Sequence, residues 1–268
     1  MLLPHFTALG AGPIVLMLHG AGGGWRSFAP QVERYAWAGY RAVAWDMPGY
    51  GLSAPVEPYG VRGLAIRCAQ LIEALLPPEA SGAGRSVALV GHGLGGMVAQ
   101  ELVMRRPDLV SRLVLAGCVS GEGAGWSVDA QDQLARLGNT PSGTDMQHLA
   151  NTVVPSQVGP LALAEGVALA RHCMAGLSPV TYRLALQAQA DFDRTAALSH
   201  IHVPTLLLTG EHDRMAPCAS IERMARQIEG SRWVQMPGIG HLQHLEAPDA
   251  FDALVLEFLR EPRTHHLH

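Results

Sequence analysis

Val87-Ala88-Leu89-Val90 is an uninterrupted apolar run, and Gly91-His92-Gly93-Leu94-Gly95-Gly96 follows it directly. Helical spacing then runs from Leu94 to Arg106. A strand with no polar face must be buried on both sides, and here it passes at once into a helix through a turn almost free of side chains. This constrains the fold more than any other feature, because it calls for a mainly parallel sheet with helices on both faces.

The rest of the chain repeats the pattern. Residues 13–18, 41–45, 112–116, 203–208 and 232–236 read as short buried strands. Residues 28–37, 61–76 and 249–259 read as helices, the first ended by Gly39 and the second by Pro77-Pro78. Little chain precedes residue 13, so any strand or hairpin ahead of it is expected to be cut short. Residues 119–200 break the alternation: they hold no convincing strand, but helical stretches such as 129–137 and 161–175. The expectation is one α/β core over 1–118 and 201–268, with a helical insertion over 119–200. Ligands of such sheets sit outside the carboxyl ends of the strands. An insertion that leaves from there and returns can cover the ligand as a lid.

Composition narrows the function classes. The 268 residues are 48% hydrophobic and 16% charged, which fits a globular chain with a sizeable core. The net charge of −4, with no basic cluster beyond Arg105-Arg106, argues against a nucleic-acid surface. Four cysteines, at 68, 118, 173 and 218, form no C-x-x-C pair, which argues against a metal site and fits a reducing, cytoplasmic setting. The first residues lack the pattern of a signal peptide, and no apolar stretch approaches the roughly 20 residues that span a bilayer. The 264–268 tail is read as a disordered end whose histidines bind metal only adventitiously. Nothing in the chain calls for a metal or an organic cofactor; the expected partner is a small molecule.

Four strand ends carry the candidate chemistry. His19-Gly20-Ala21-Gly22-Gly23-Gly24-Trp25 exposes backbone amides with few side chains in the way. The amide of Ala21, with Gly22 as the fallback, is assigned as one donor to a developing oxyanion, and the amide of Leu94 at a helix N-terminus as the other. Alone, such a glycine stretch would be an ordinary turn. Gly22, Trp25 and His92 are the expected substrate contacts. Asp46, ahead of Gly49 and Gly51, is read as a turn residue that bonds backbone amides. Asp213, just past a buried strand, suits the acid that orients an imidazole; its plainer role would be to cap the helix after Pro217. His241, after Gly238-Ile239-Gly240, is the candidate base. His92, His212 and His244 are read as packing or surface residues, with His92 near enough to the turn to touch a ligand.

Gly91-His92-Gly93-Leu94-Gly95 has the spacing of the G-x-S-x-G nucleophile elbow. Elbow, acid and histidine follow in the order 93, 213, 241. With the H-G-x-G segment at His19, these motifs make the chain resemble the α/β-hydrolase superfamily over nearly its whole length. The resemblance is to the lidded bacterial branch of esterases, enol-lactonases and carbon–carbon bond hydrolases, and residues 192–194 and 201–205 are similar to that branch's return from lid to core. It implies the α/β-hydrolase fold and a site built on position 93, Asp213 and His241. Relatives with aspartate at the elbow usually follow it with a bulky aromatic or charged residue; Leu94-Gly95-Gly96 matches the serine branch better. The departure is Gly93 itself, which has no side chain to attack with.

Three readings follow. One is a serine-type hydrolase whose nucleophile was replaced. The second is an enzyme in which His241 and Asp213 act as a base without a covalent step, either on water or as a lyase, cyclase or cofactor-free oxygenase that abstracts a proton. The third is a non-catalytic binding protein on a hydrolase scaffold. The substrate expected of an enzyme here is a small to medium, largely apolar ester, lactone or carbonyl compound, because the 119–200 stretch is rich in Ala, Leu and Met.

Overall fold

A computed structural model describes residues 2–77, 85–121 and 145–262. The expected helix at 129–137, Pro78 and the 264–268 tail lie outside the described residues. Seven strands form one sheet: β1 (Phe6–Leu9), β2 (Ile14–Leu18), β3 (Arg41–Trp45), β4 (Val87–His92), β5 (Val110–Ala116), β6 (Thr205–Gly210) and β7 (Arg232–Met236). Their spatial order is β1-β3-β2-β4-β5-β6-β7. All neighbours pair parallel except β1 with β3, where Phe6 faces Trp45 and Leu9 faces Ala42. The α/β-hydrolase fold expected from the sequence is the one present.

The pairing shows why the strands read as unbroken apolar runs. Along β2, Leu16 and Leu18 enter the core on one face of the sheet, while Val15 and Met17 enter the core on the other. Along β3, Val43 and Trp45 alternate with Ala42 and Ala44 in the same way. A period of two with both faces covered leaves no position for a polar residue. Helix α1 (Ala29–Trp37) covers one face through Val32 and Tyr35. Helices α2 (Val61–Leu75) and α3 (Leu94–Arg105) cover the other.

Ahead of residue 13 the described residues form no hairpin and a single short strand, β1. It is four residues long, half exposed, and lies at the sheet edge, so it carries neither a continuous apolar run nor a clean alternation.

Between β5 and β6 the described chain is helical: α4 (Met146–Gln157), α5 (Ala164–Ala175), α6 (Pro179–Ala190) and a 3₁₀ turn over Thr195–His200. Helix α5 starts at Ala164 rather than at 161, since Leu163 still has extended backbone. The two ends of this stretch are fastened together. The amide of Arg194 donates to the carbonyl of Ser120 (2.6 Å), and its guanidinium Nε donates to Glu101 on α3 (2.6 Å). Burial pushes the Glu101 carboxyl up, but hydrogen bonds from Arg194 and Arg105 outweigh it and hold the group below the usual carboxylate range. Helix α7 (Cys218–Gln227) follows β6, and a short α8 (Gln243–Glu246) with α9 (Pro248–Arg260) ends the described chain. Among the described residues no helix is long and apolar enough to cross a membrane.

Candidate active site

The turn after β4 is fixed by close packing. A Cβ added to Gly91 would lie 2.6 Å from the Gly96 Cα, one added to Gly95 would lie 2.0 Å from the Leu18 carbonyl oxygen, and one added to Gly96 would lie 2.6 Å from Cys118. None of these three positions can carry a side chain. Gly93 is different. An added Cβ there meets only the His241 Nε2 at 3.6 Å and the Gly20 Cα at 3.7 Å, ordinary contact distances. Its backbone has φ 51° and ψ −118°, a conformation that side chains disfavour. The Gly93 amide extends the ladder to the Ala116 carbonyl (3.1 Å), and its carbonyl starts α3 by accepting from Gly96 and Met97.

A strain argument therefore applies at Gly93 without any steric one. Gly93→Ser and Gly93→Ala are each expected to cost about 1–3 kcal/mol of stability through φ alone. Thermal unfolding of the three chains tests this. A serine variant more stable than the parent would show that the turn is unstrained.

His241 and Asp213 meet beside this turn. Both are buried, and the ring Nδ1 lies 3.1 and 3.0 Å from the two carboxylate oxygens of Asp213. A carboxylate accepts, so Nδ1 carries the proton and Nε2 is left as the basic nitrogen, facing Gly93. Asp213 also does what its plainer role required, in part. Its Oδ1 accepts the amides of Met215 (2.9 Å) and Ala216 (2.8 Å), which closes the turn before α7 rather than capping the helix itself. Gln243, which the motif reading did not single out, donates from Nε2 to Asp213 Oδ2 (3.2 Å) and to the Gly240 carbonyl (3.1 Å).

The glycine segment after β2 comes to the same place. Gly20, Ala21, Gly22 and Gly23 line one cavity with Gly93, His92 and His241. Tyr50 donates its hydroxyl to the Ala21 carbonyl (2.8 Å), which fixes the peptide that ends in the Gly22 amide. Among the described residues no acceptor is paired with the amide of Ala21 or of Leu94. His19 anchors the segment from beneath: its Nε2 accepts the Met47 amide (3.0 Å) and its Nδ1 donates to the Gly20 carbonyl (2.8 Å). Burial lowers its pKa to about 4, so it stays neutral. Asp46 is structural, as expected, but its partners are remote in sequence: the Trp25 amide (3.0 Å) and the His5 ring (2.8 Å).

Trp25 is the residue the structure does not bring to the cavity. The chain turns into a 3₁₀ helix at this position, and the indole lines a neighbouring groove with Arg26, whose guanidinium lies 5.0 Å from the ring centre. His92 does line the cavity; its Nε2 donates to the His241 carbonyl (2.9 Å), and burial, with His241 beside it, lowers its pKa to about 3. His244 is buried and lines the same cavity, its ring stacked 4.4 Å from Phe28. His212 lies at the surface beside Glu211, as expected. The roof of the cavity comes from the helical stretch between β5 and β6: Val154 and Gln157 of α4, Met174 of α5, and Tyr182 and Gln189 of α6. No motif marks these residues, because only folding brings them over the turn. Among the described residues no cluster of histidine, cysteine or carboxylate side chains could hold a metal ion.

A buried His–carboxylate pair beside an elbow, with the glycine segment after β2 lining the same small cavity, is the layout of a hydrolytic enzyme. The chain belongs to the alpha/beta hydrolase family, whose profile matches residues 15–254. It is an enzyme of hydrolase type. RutD of Klebsiella pneumoniae, provisionally named a carbamate hydrolase, is 29% identical over 260 residues, covering 92% of this chain and 91% of the relative. The 2-hydroxy-6-oxo-6-phenylhexa-2,4-dienoate hydrolase of Comamonas testosteroni is 27% identical over 271 residues, covering 97% and 92%. An esterase from Exiguobacterium antarcticum superposes with a TM-score of 0.84 at 22% identity, covering 96% of this chain and 95% of that one. An enol-lactonase from Burkholderia xenovorans gives 0.82 at 23% identity, covering 96% of each. The likeness to these two structures is one of fold.

Proposed function

We propose that this chain hydrolyses a small, largely apolar ester, lactone or related carbonyl compound by direct attack of water, with His241 as the general base. The observation that carries this is the aim of the base. His241 Nε2 lies 3.6 Å from the point where a side chain at position 93 would begin, and Asp213 holds the other side of the ring. In the proposed step, Nε2 takes a proton from water, and the water oxygen bonds to the carbonyl carbon. The negative charge that collects on the carbonyl oxygen is met by the amides of Ala21 and Leu94, with Gly22 beside them. The C–O bond to the leaving group then breaks, and the proton on Nε2 passes to the departing oxygen. Gly22 and His92 would contact the substrate, and the helical stretch over 119–200 would act as its lid.

The other hydroxyl and thiol groups in the cavity are poorly placed to replace a nucleophile. Ser27 is bonded to the Gly24 carbonyl (2.8 Å), and burial pushes the Cys173 thiol up to about 11 and the Tyr182 hydroxyl well above its usual range. A second reading, a serine-type hydrolase whose nucleophile has become glycine, is favoured by the room for a side chain at position 93. The relatives named for ester, lactone, carbamate and carbon–carbon bond hydrolysis support the substrate class.

His241→Ala is expected to lower turnover of short p-nitrophenyl esters and γ-lactones by about 10²- to 10⁴-fold, and Asp213→Asn by a similar factor, because the asparagine amide disfavours the required tautomer. Mass spectrometry of the quenched reaction should find no acyl adduct on the chain. An acyl adduct, or turnover that survives His241→Ala, would sink the direct-water mechanism.

A further inference from the structure

His241 is held from a second direction. Glu246 ends α8 and is fully buried, and among the described residues its carboxylate forms no ion pair. Its Oε1 accepts the Leu242 amide (2.8 Å), and its Oε2 accepts the amides of Gly240 (2.8 Å) and Gly159 (2.7 Å). Gly240 and Leu242 flank His241. The amide of His241 itself donates to the Gln157 carbonyl (2.7 Å), and its carbonyl accepts from His92. Three successive amides, 240, 241 and 242, are thus fixed by two acceptors, so both peptide planes around the histidine are set.

Gln157 and Gly159 belong to the helical stretch that roofs the cavity. The junction is tight: a Cβ on Gly240 would lie 2.3 Å from the Gln157 carbonyl oxygen, and one on Gly159 would lie 2.3 Å from the Gly238 carbonyl oxygen. Further bonds run from the Leu161 amide to Gly238 (3.1 Å) and from the Leu163 amide to the Glu246 carbonyl (3.0 Å). One carboxylate therefore ties the roof of the cavity to the loop that carries the histidine.

We propose that Glu246 is a positioning residue: its carboxylate sets the direction of the His241 ring and couples that direction to the α4–α5 junction. The assignment rests on the proposed role of His241 as the base. All three side-chain partners of Glu246 are N–H donors. A carboxylate satisfies them with acceptors alone, whereas an amide would turn an NH₂ group against at least one of them. Losing one bond frees the 240–242 backbone, and a displacement of about 1 Å in a base is enough to cost about a hundredfold in rate.

The test is Glu246→Gln with Glu246→Asp as its companion, followed by kcat and KM on p-nitrophenyl acetate and by the downfield NMR resonance of the His241 Nδ1 proton. Expected for Glu246→Gln are a kcat lower by about ten- to a hundredfold, an unchanged KM, and a ring-proton signal broadened by exchange with solvent. Glu246→Asp, which keeps the charge, should recover part of both. A Glu246→Gln chain with parental kcat and a sharp ring-proton signal would overturn the proposal. The ring-proton signal needs no turnover. A parent chain that shows this signal but hydrolyses nothing would count against the proposed reaction and leave the Glu246 test intact. If the glutamine chain does not fold, hydrogen exchange of the parent decides: the amides of Gly159, Gly240 and Leu242 should open as one unit. Rates differing by more than about tenfold among them would refute the single-carboxylate tie.

Discussion

Gly93→Ser is expected to raise hydrolysis of p-nitrophenyl acetate by about a hundredfold or more over the parent, and to make the chain react with a fluorophosphonate probe that leaves the parent unlabelled. The geometry is already prepared for it. The Cβ of such a serine would start 3.6 Å from His241 Nε2 with no atom in conflict, so its hydroxyl can reach the base. Asp213 fixes the ring tautomer, and in the proposed step the Ala21 and Leu94 amides would receive the oxygen that takes up charge. Serine would sit in the same backbone conformation that glycine now holds, with φ 51°, so the added activity should come with a loss of stability. A variant that neither labels nor gains hydrolysis would show that the elbow does not present position 93 to His241 in solution.

Acid should unfold this chain early, between about pH 4 and 5. Three buried histidines are held neutral. Burial lowers His19 to about 4 and His92 to about 3, and it drives His244 well below its usual value, with His92 and His241 adding to the effect. In the unfolded chain each would take up a proton near pH 6.5. Below that pH the unfolded state binds protons that the folded state refuses, so stability falls as pH falls, by about 1.4 kcal/mol per unit for each histidine. Asp252 works the other way. Burial pushes it up to about 6, so between pH 6 and 4 the folded state binds a proton that the unfolded state lacks. The net is about two protons, or roughly 2.7 kcal/mol per pH unit, against a total stability of about 5–15 kcal/mol. Circular dichroism against pH measures it. His244→Phe, which keeps the stack on Phe28, should flatten the slope by removing one of the three histidines. Stability that holds level from pH 6 to 4.5 would contradict the neutral state of these histidines.

What could be read from the sequence follows from how each feature is encoded. Strands β2 to β6 are buried on both faces, so local composition alone marks them. Strand β1 is short, half exposed and paired at the edge, and nothing local distinguishes it from loop. Helix α4 carries Pro155 inside it, which interrupts the pattern that would otherwise announce a helix. At the site, Gly93, Asp213 and His241 were legible because each follows a strand end in a fixed order. Trp25 lines the neighbouring groove, because adjacency in sequence to the glycine segment does not fix which way a 3₁₀ turn sends an indole. Gln243 and Glu246 lie within five residues of His241, yet their roles depend on Asp213 and Gly159, which only the fold brings near. Tyr182 and Gln189 had no signal at all, because a cavity wall contributed by a helical insertion is defined by packing rather than by pattern.

Ser120 and Arg194 close a ring. The chain leaves the sheet at Ser120 and comes back at Arg194, whose amide holds the Ser120 carbonyl and whose guanidinium holds Glu101 of α3. The described part of that stretch is tied to the core again at Gln157 and Gly159, which bond the His241 amide and the Glu246 carboxylate. Residues can be added to or taken from the chain between Ser120 and Gln157 at a closure cost that grows only with the logarithm of its length. Changes confined to that span leave in place the Gln157 and Gly159 bonds that hold the His241 loop, and with them the register of the strands that carry Gly93 and Asp213.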